Sequence, residues 1–324
     1  MRSITLSLIL AVLVIQASAQ APLVSGPTIA LPRVEGRIDH LAFDKVDQRV
    51  FVAARGNNTV EILDLSSGKA FKSLPGFQAP QGIAVDPDDK IVAVANGDGD
   101  GVQLITPDGR VMRSVRLGDD SDNVRYDGST RRFYVGFGDG AIAAIDAITG
   151  KVLGQVALRG HPESFQLERS GPRIFVNVPD AGVISVIDRT SMRIVATWRL
   201  TAASGNFPMA LDEQHHRLFI GCRGPAKALV YDIASGRQTA SFDIVDDTDD
   251  LFYDPDHQRV FVSGGGGYID VMQATDANQF TRLAHLVTAP GARTSLFVAE
   301  LNELFLAVPH RGAQRAEVRT YRTE

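Results

Sequence analysis

The sequence predicts an all-β protein, a seven-bladed β-propeller of four-stranded antiparallel blades, and three observations carry that prediction. A residue closing a short apolar strand recurs at Asp44, Asp86, Asp127, Glu168, Asp212, Asp254 and Ala299, at intervals of 41 to 45 residues. Four or five residues after each, a charged residue leads a second apolar run: Arg49, Lys90, Arg132, Arg173, Arg217, Arg259 and Glu303. No segment beyond the first residues has a helical period.

The unit is plainest over His40–Lys69. A strand ends at Phe43-Asp44, a turn leads to Arg49-Val50-Phe51-Val52, a Gly/Asn loop follows, and a third strand runs from Val60 to Asp64. Third strands recur at Val102, Ile142, Ile184, Ala228, Ile269 and Val318. Turns such as Ser67-Gly68-Lys69, Asp108-Gly109-Arg110, Thr149-Gly150-Lys151 and Ser235-Gly236-Arg237 then supply the positive φ of a tight hairpin at glycine. Fourth strands are expected over Val111–Leu117, Val152–Leu158, Ile194–Leu200 and Phe280–Leu286.

The last copy ends after its third strand, Val318 to Arg322, while Pro27–Leu31 has no blade of its own. This N-terminal strand is therefore expected to pair with the C-terminal blade and close the ring. Closure of that kind removes exposed strand edges.

The chain has 324 residues, 44% hydrophobic and 22% charged, which places it among globular proteins. Arg2, the apolar run Ile4 to Ile15 and Ala17-Ser18-Ala19 have the make-up of a cleavable export signal over residues 1–19. The run is too short for a bilayer span, which takes roughly 20 apolar residues. No cysteine stands at the cleavage site for lipid attachment, so the expected location is periplasmic or secreted, with one propeller domain over 20–324. Losing Arg2 leaves 32 basic against 38 acidic residues, and no basic run exists, so nucleic acid is not an expected partner. Cys222 is the only cysteine; it cannot form an internal disulfide and reads as a small apolar residue at a strand end. A closed ring needs no oligomer, and a monomer is expected.

Arg173-Ile174-Phe175-Val176-Asn177, Val183–Asp188 and Gln81–Asp88 carry a family resemblance. They resemble the YVTN-type repeat of bacterial YncE-like propellers, and the likeness extends over the whole chain after the leader. It implies a scaffold and no particular activity. WD-type propellers would show Gly-His and Trp-Asp pairs in each blade, whereas the single Trp198 is not followed by Asp. The tryptophan-rich docking pattern of quinone-cofactor propellers and the many axial histidines of copper-cluster propellers are also lacking.

Function is then sought in the loops that surround the channel. The loops leading into first strands supply Asp39, His40, Asp122, Asn123, His161, Glu163, Asp249, Asp250 and Arg293, and the loop between second and third strands of the last blade adds His310. The carboxylates come from four blades at equivalent repeat positions, so folding should gather them at one mouth. Like charges there raise one another's pKa unless a cation compensates, and Arg293, His40, His161 and His310 are candidates for that role. The preferred reading is a non-catalytic propeller that binds a small ligand, cationic or polyhydroxylated, or a partner protein, and needs no cofactor. The alternative is a metal-dependent hydrolase resembling lactonase-type propellers, with a divalent ion such as Ca²⁺ or Zn²⁺ held by Asp39, Asn123, Glu163 and Asp250. Asp246–Asp250 reads as a solvated loop, His215-His216 as a turn, and Gly264–Gly267 as a flexible loop or a close approach of ligand to backbone.

Overall fold

The computed structural model describes residues 21–324, so the expected leader lies outside the described residues. Seven four-stranded antiparallel sheets follow one another around a ring. In each of the first six blades the strands lie side by side in chain order, and the first strands touch those of adjacent blades to form the innermost ring. No helix among the described residues is long and apolar enough to cross a membrane.

The second strands explain why the ring holds. Val50, Val52 and Ala54 pack toward the last blade, while Phe51 and Ala53 pack toward the second. Such a strand is buried on both faces, which is why it reads as an apolar run rather than an alternation. Each of the seven blade interfaces has its own core cluster. Two residues after the charged leader, six blades carry an aromatic ring: Phe51, Tyr134, Phe175, Phe219, Phe261 and Phe305, all fully buried. Truncating one of these to alanine is expected to cost about 3–5 kcal/mol. Cys222 belongs to the cluster between the fourth and fifth blades, and burial pushes its thiol up to about 12.

The strand-closing acids are turn devices. Oδ1 of Asp44, Asp86, Asp127, Asp212 and Asp254 each accepts a backbone N–H two or three residues on. His215 Nδ1 lies 2.9 Å from Asp212 Oδ2, which keeps the His215-His216 pair in its turn.

The ring closes as the sequence implies. The strand Leu23–Ala30 pairs antiparallel with Glu317–Thr323, in register Leu23 with Thr323 and Ala30 with Glu317. It begins four residues before the expected Pro27 and shifts register between Ser25 and Thr28. Gly26 lies at that shift, where an added Cβ would stand 2.4 Å from Thr320 Oγ1. Leu23, Ile29 and Leu31 are buried, so the closing strand is also part of the core.

Candidate functional site

Asp39, Asp122, Glu163 and Asp249 all stand five residues before a strand-closing residue. That common offset puts them at corresponding points of blades one, three, four and six, around one end of the channel. The next residue in each case is His40, Asn123, Ser164 or Asp250.

On one side of the mouth the acids are paired. Asp249 lies 2.5 Å from Arg223 Nη2, 3.1 Å from Arg293 Nε and 3.5 Å from Arg37 Nη2. Arg37 also reaches Asp39 at 2.9 Å, and Arg293 reaches Asp247 at 2.8 Å. Arg223 is held further by the Thr248 carbonyl at 2.9 Å and by the Phe207 ring, 3.5 Å below its guanidinium. His40 Nδ1 is 3.4 Å from Asp250 Oδ2, which also accepts the Ser295 backbone N–H at 2.8 Å. Burial opposes charge on His40, but Asp250 and Asp39 outweigh it and lift the imidazole to about 10. Burial and the facing Asp39 push Asp249 up to about 6 against the pull of its three arginines.

The other side is open. Asp122 is only 9% exposed, and its nearest partner, His161 Nε2, is 3.9 Å away, beyond hydrogen-bond reach. Glu163 makes no side-chain hydrogen bond and no ion pair among the described residues. Burial, with repulsion from Asp122 and Asp249, pushes it up to about 8. His161 Nδ1 donates to the Gly138 carbonyl at 2.7 Å and lies 3.5 Å from Asp120. Burial works against its charging, yet Asp122, the Gly138 carbonyl and Asp120 raise it to about 9. For Asp122, burial works upward, but His161, His40 and Arg37 leave the carboxyl below its ordinary value.

Below the mouth the channel forms a cavity of about 400 Å³. His40, Arg125, Ser164, Gln166, Asp250 and Ser295 supply its polar wall, and Phe43, Tyr126, Phe252, Phe297 and Met209 its apolar one. Arg125 leans on Ser164 Oγ at 3.4 Å and on the Phe165 ring at 5.5 Å, and burial pulls its pKa down.

Several expectations change. Asp39 and Asp250, expected beside Asn123 and Glu163 as alternative metal ligands, are tied to Arg37, His40 and the Ser295 amide instead. The grouping with metal-ligand spacing is Asp122, His161 and Glu163, whose donor atoms lie within 4.8 Å of one another. His310 pairs with Glu35 at 2.7 Å. The Asp246–Asp250 run is not one solvated loop: Asp246 is exposed, but Asp249 and Asp250 are buried in the strand Thr248–Asp254. Gly264 is required by the chain's own approach, since an added Cβ would stand 2.3 Å from the Asp246 carbonyl oxygen, while at Gly265 and Gly266 it would meet the carboxylates of Asp247 and Asp246. Arg37 and Arg125 were not expected. Arg37 stands at the repeat offset of His161, two residues before the mouth acid, and aligning the repeats at that offset would have exposed it.

No family model matches the chain, and no curated protein does. Among solved structures it is similar to a chain of the "Crystal Structure of Mitotic Checkpoint Complex" at 13% identity and a TM-score of 0.79, covering 100% of this chain and 99% of that one. That likeness is one of fold, and it agrees with the seven four-stranded blades.

Proposed function

We propose that this chain is an exported, YncE-like binding propeller that holds a small organic ligand in the central channel, with no reaction catalysed on it. The observation that supports this is the 400 Å³ cavity, whose polar and aromatic walls meet beneath a mouth of converging charged side chains. The ligand class that fits is an amphipathic one. Its hydroxyl or amino groups would meet Asp250, Ser164, Gln166 and Ser295, and its apolar body would lie against Phe43, Phe252 and Phe297. The leader composition supports export, and the repeat residues quoted above support the family.

A thermal-shift screen of polyols, sugars and aromatic amines tests the reading, run in parallel on the wild type and on Arg125→Ala. A ligand at 100 times its Kd adds about 2.7 kcal/mol, which raises the melting temperature by several degrees. The expected result is a compound class that stabilises the wild type and loses at least half of that shift in Arg125→Ala. Equal shifts in both proteins, or no shift with any class, would count against a channel ligand.

A further inference from the structure

The mouth acids are treated unequally. Asp39, Asp249 and Asp250 each have a cation within 3.5 Å, whereas among the described residues Glu163 has none within 4.0 Å and Asp122 only His161 Nε2 at 3.9 Å. A buried acid without a partner is costly, and here two lie close to one imidazole. We infer that Asp122, His161 and Glu163 form a binding site for a divalent transition-metal ion, with positions left open to solvent.

Three observations carry the assignment. The donor atoms of the three side chains already lie within 4.8 Å of one another. A tetrahedral ion with bonds of about 2.0–2.1 Å needs its donors roughly 3.4 Å apart, a contraction that side-chain rotations can supply. His161 is oriented from outside the group, because the Gly138 carbonyl accepts from Nδ1 and leaves Nε2 facing Asp122. Fixing one ring nitrogen on a backbone carbonyl is how ligating imidazoles are aimed. Independently of both, the adjacent Asn123, 1% exposed, leaves its buried Oδ1 without a hydrogen-bond partner among the described residues, beside an Asp122 carboxylate whose nearest cation is His161 Nε2 at 3.9 Å. Asn123 Oδ1 is an oxygen that the fold has buried and not satisfied.

The donor set selects the ion. One imidazole with two carboxylates suits Zn²⁺, Mn²⁺, Co²⁺ or Ni²⁺ better than Ca²⁺, which prefers six to eight oxygens. Three protein donors leave coordination positions free, and these would face the mouth above the channel. The site shares that mouth with the ligand proposed above but does not need it.

Isothermal titration of chelator-treated protein with Zn²⁺ alone is the test, with Ca²⁺ as comparison. One equivalent of Zn²⁺ should bind, with Ca²⁺ at least 100-fold weaker. His161→Gln and Glu163→Gln should each weaken Zn²⁺ binding by roughly 100-fold or more, whereas Glu35→Gln, at the rim, should leave it unchanged. Melting of each variant without metal shows whether it is folded, and a misfolded variant is replaced by Asp122→Asn. Zn²⁺ binding that survives loss of His161 or Glu163, Ca²⁺ binding as tight as Zn²⁺, or no binding at all would overturn the assignment. Because only metal is titrated, a failure here leaves the channel-ligand reading intact, and a failed ligand screen leaves this one intact.

Discussion

Asp39 and Asp249, in the first and sixth blades, occupy the same repeat offset as Asp122 and Glu163, in the third and fourth, yet the two sides of the mouth are built to different ends. On the first side Arg37, Arg223 and Arg293 converge on the carboxylates from three different blades. On the second the same offset faces only His161, and Glu163 is left unpaired. Two residues before the acid stand Arg37 in the first blade and His161 in the fourth, but Asp247 in the sixth, where Asp249 takes its cations from Arg223, Arg293 and Arg37 of other blades. A repeat therefore supplies the carboxylate, and cations arriving from neighbouring blades decide whether it becomes a structural ion pair or an available donor.

The ring seam lies on the paired side, between the last blade and the first, and removing it is the most drastic way to break the contrast. Deleting residues 20–32 removes the strand that pairs with Glu317–Thr323 and the buried side chains of Leu23, Ile29 and Leu31. It leaves the last blade with three strands and Glu317–Thr323 unpaired on its outer side. The expected outcome is loss of a single cooperative thermal transition, followed by circular dichroism. An unchanged melt would show that the seam does not hold the ring.

Next in size is Asp249→Ala. It removes the shared partner of three guanidiniums, and breaking a buried pair from one side costs about 3–5 kcal/mol. The larger part of that cost is expected from Arg223 and Arg293, because Arg37 is 39% exposed and more easily solvated. Urea unfolding would measure it. A change below 1 kcal/mol would mean that the paired side is no more structural than the open one.

How far these features could be read from the chain follows from the same repeat. Strand order, blade number and ring closure were legible because buried second strands and turn-forming acids recur at fixed spacing, as at Arg49-Val50-Phe51-Val52 and Asp44. The gathering of Asp39, Asp122, Glu163 and Asp249 was legible for the same reason. Which acid finds which cation was not. Arg223 arrives from the second strand of another blade, Arg217–Gly224, and Arg37, though at the offset of His161, reaches both Asp39 of its own blade and Asp249 of the sixth. The side-chain partners of Asp250 and His310 likewise depend on neighbouring blades, which no spacing along one blade encodes.

An effect of similar size, spread over several pH units, comes from His40. His40 is raised to about 10 in the folded protein by Asp250 and Asp39, against 6.5 when free. The folded state therefore holds its proton more tightly, and the stability this gives is fully present below pH 6.5 and lost as pH rises through 10. The slope is at most about 1.4 kcal/mol per pH unit. Urea unfolding at pH 6, 8 and 10 should show a steeper decline for the wild type than for His40→Gln. Parallel declines would place the pH dependence elsewhere than on the paired side.

The least perturbing change is expected on the open side. Glu163→Gln keeps the shape of the side chain and puts a neutral amide where burial, Asp122 and Asp249 push the carboxyl up to about 8 and so hold it largely protonated at pH 7. No ion pair is broken, because Glu163 makes none among the described residues. With metal absent, the variant should unfold on the stabilised side of the wild type at pH 7, because it no longer has to take up a proton on folding. Asp249→Asn, an equally conservative change at the same repeat offset, gives up contacts to Arg223, Arg293 and Arg37 together and should leave the protein less stable than Glu163→Gln does, although burial and Asp39 disfavour its charge as well. If the two amide variants shift stability alike, the distinction between a paired and an open side fails, whatever either side binds.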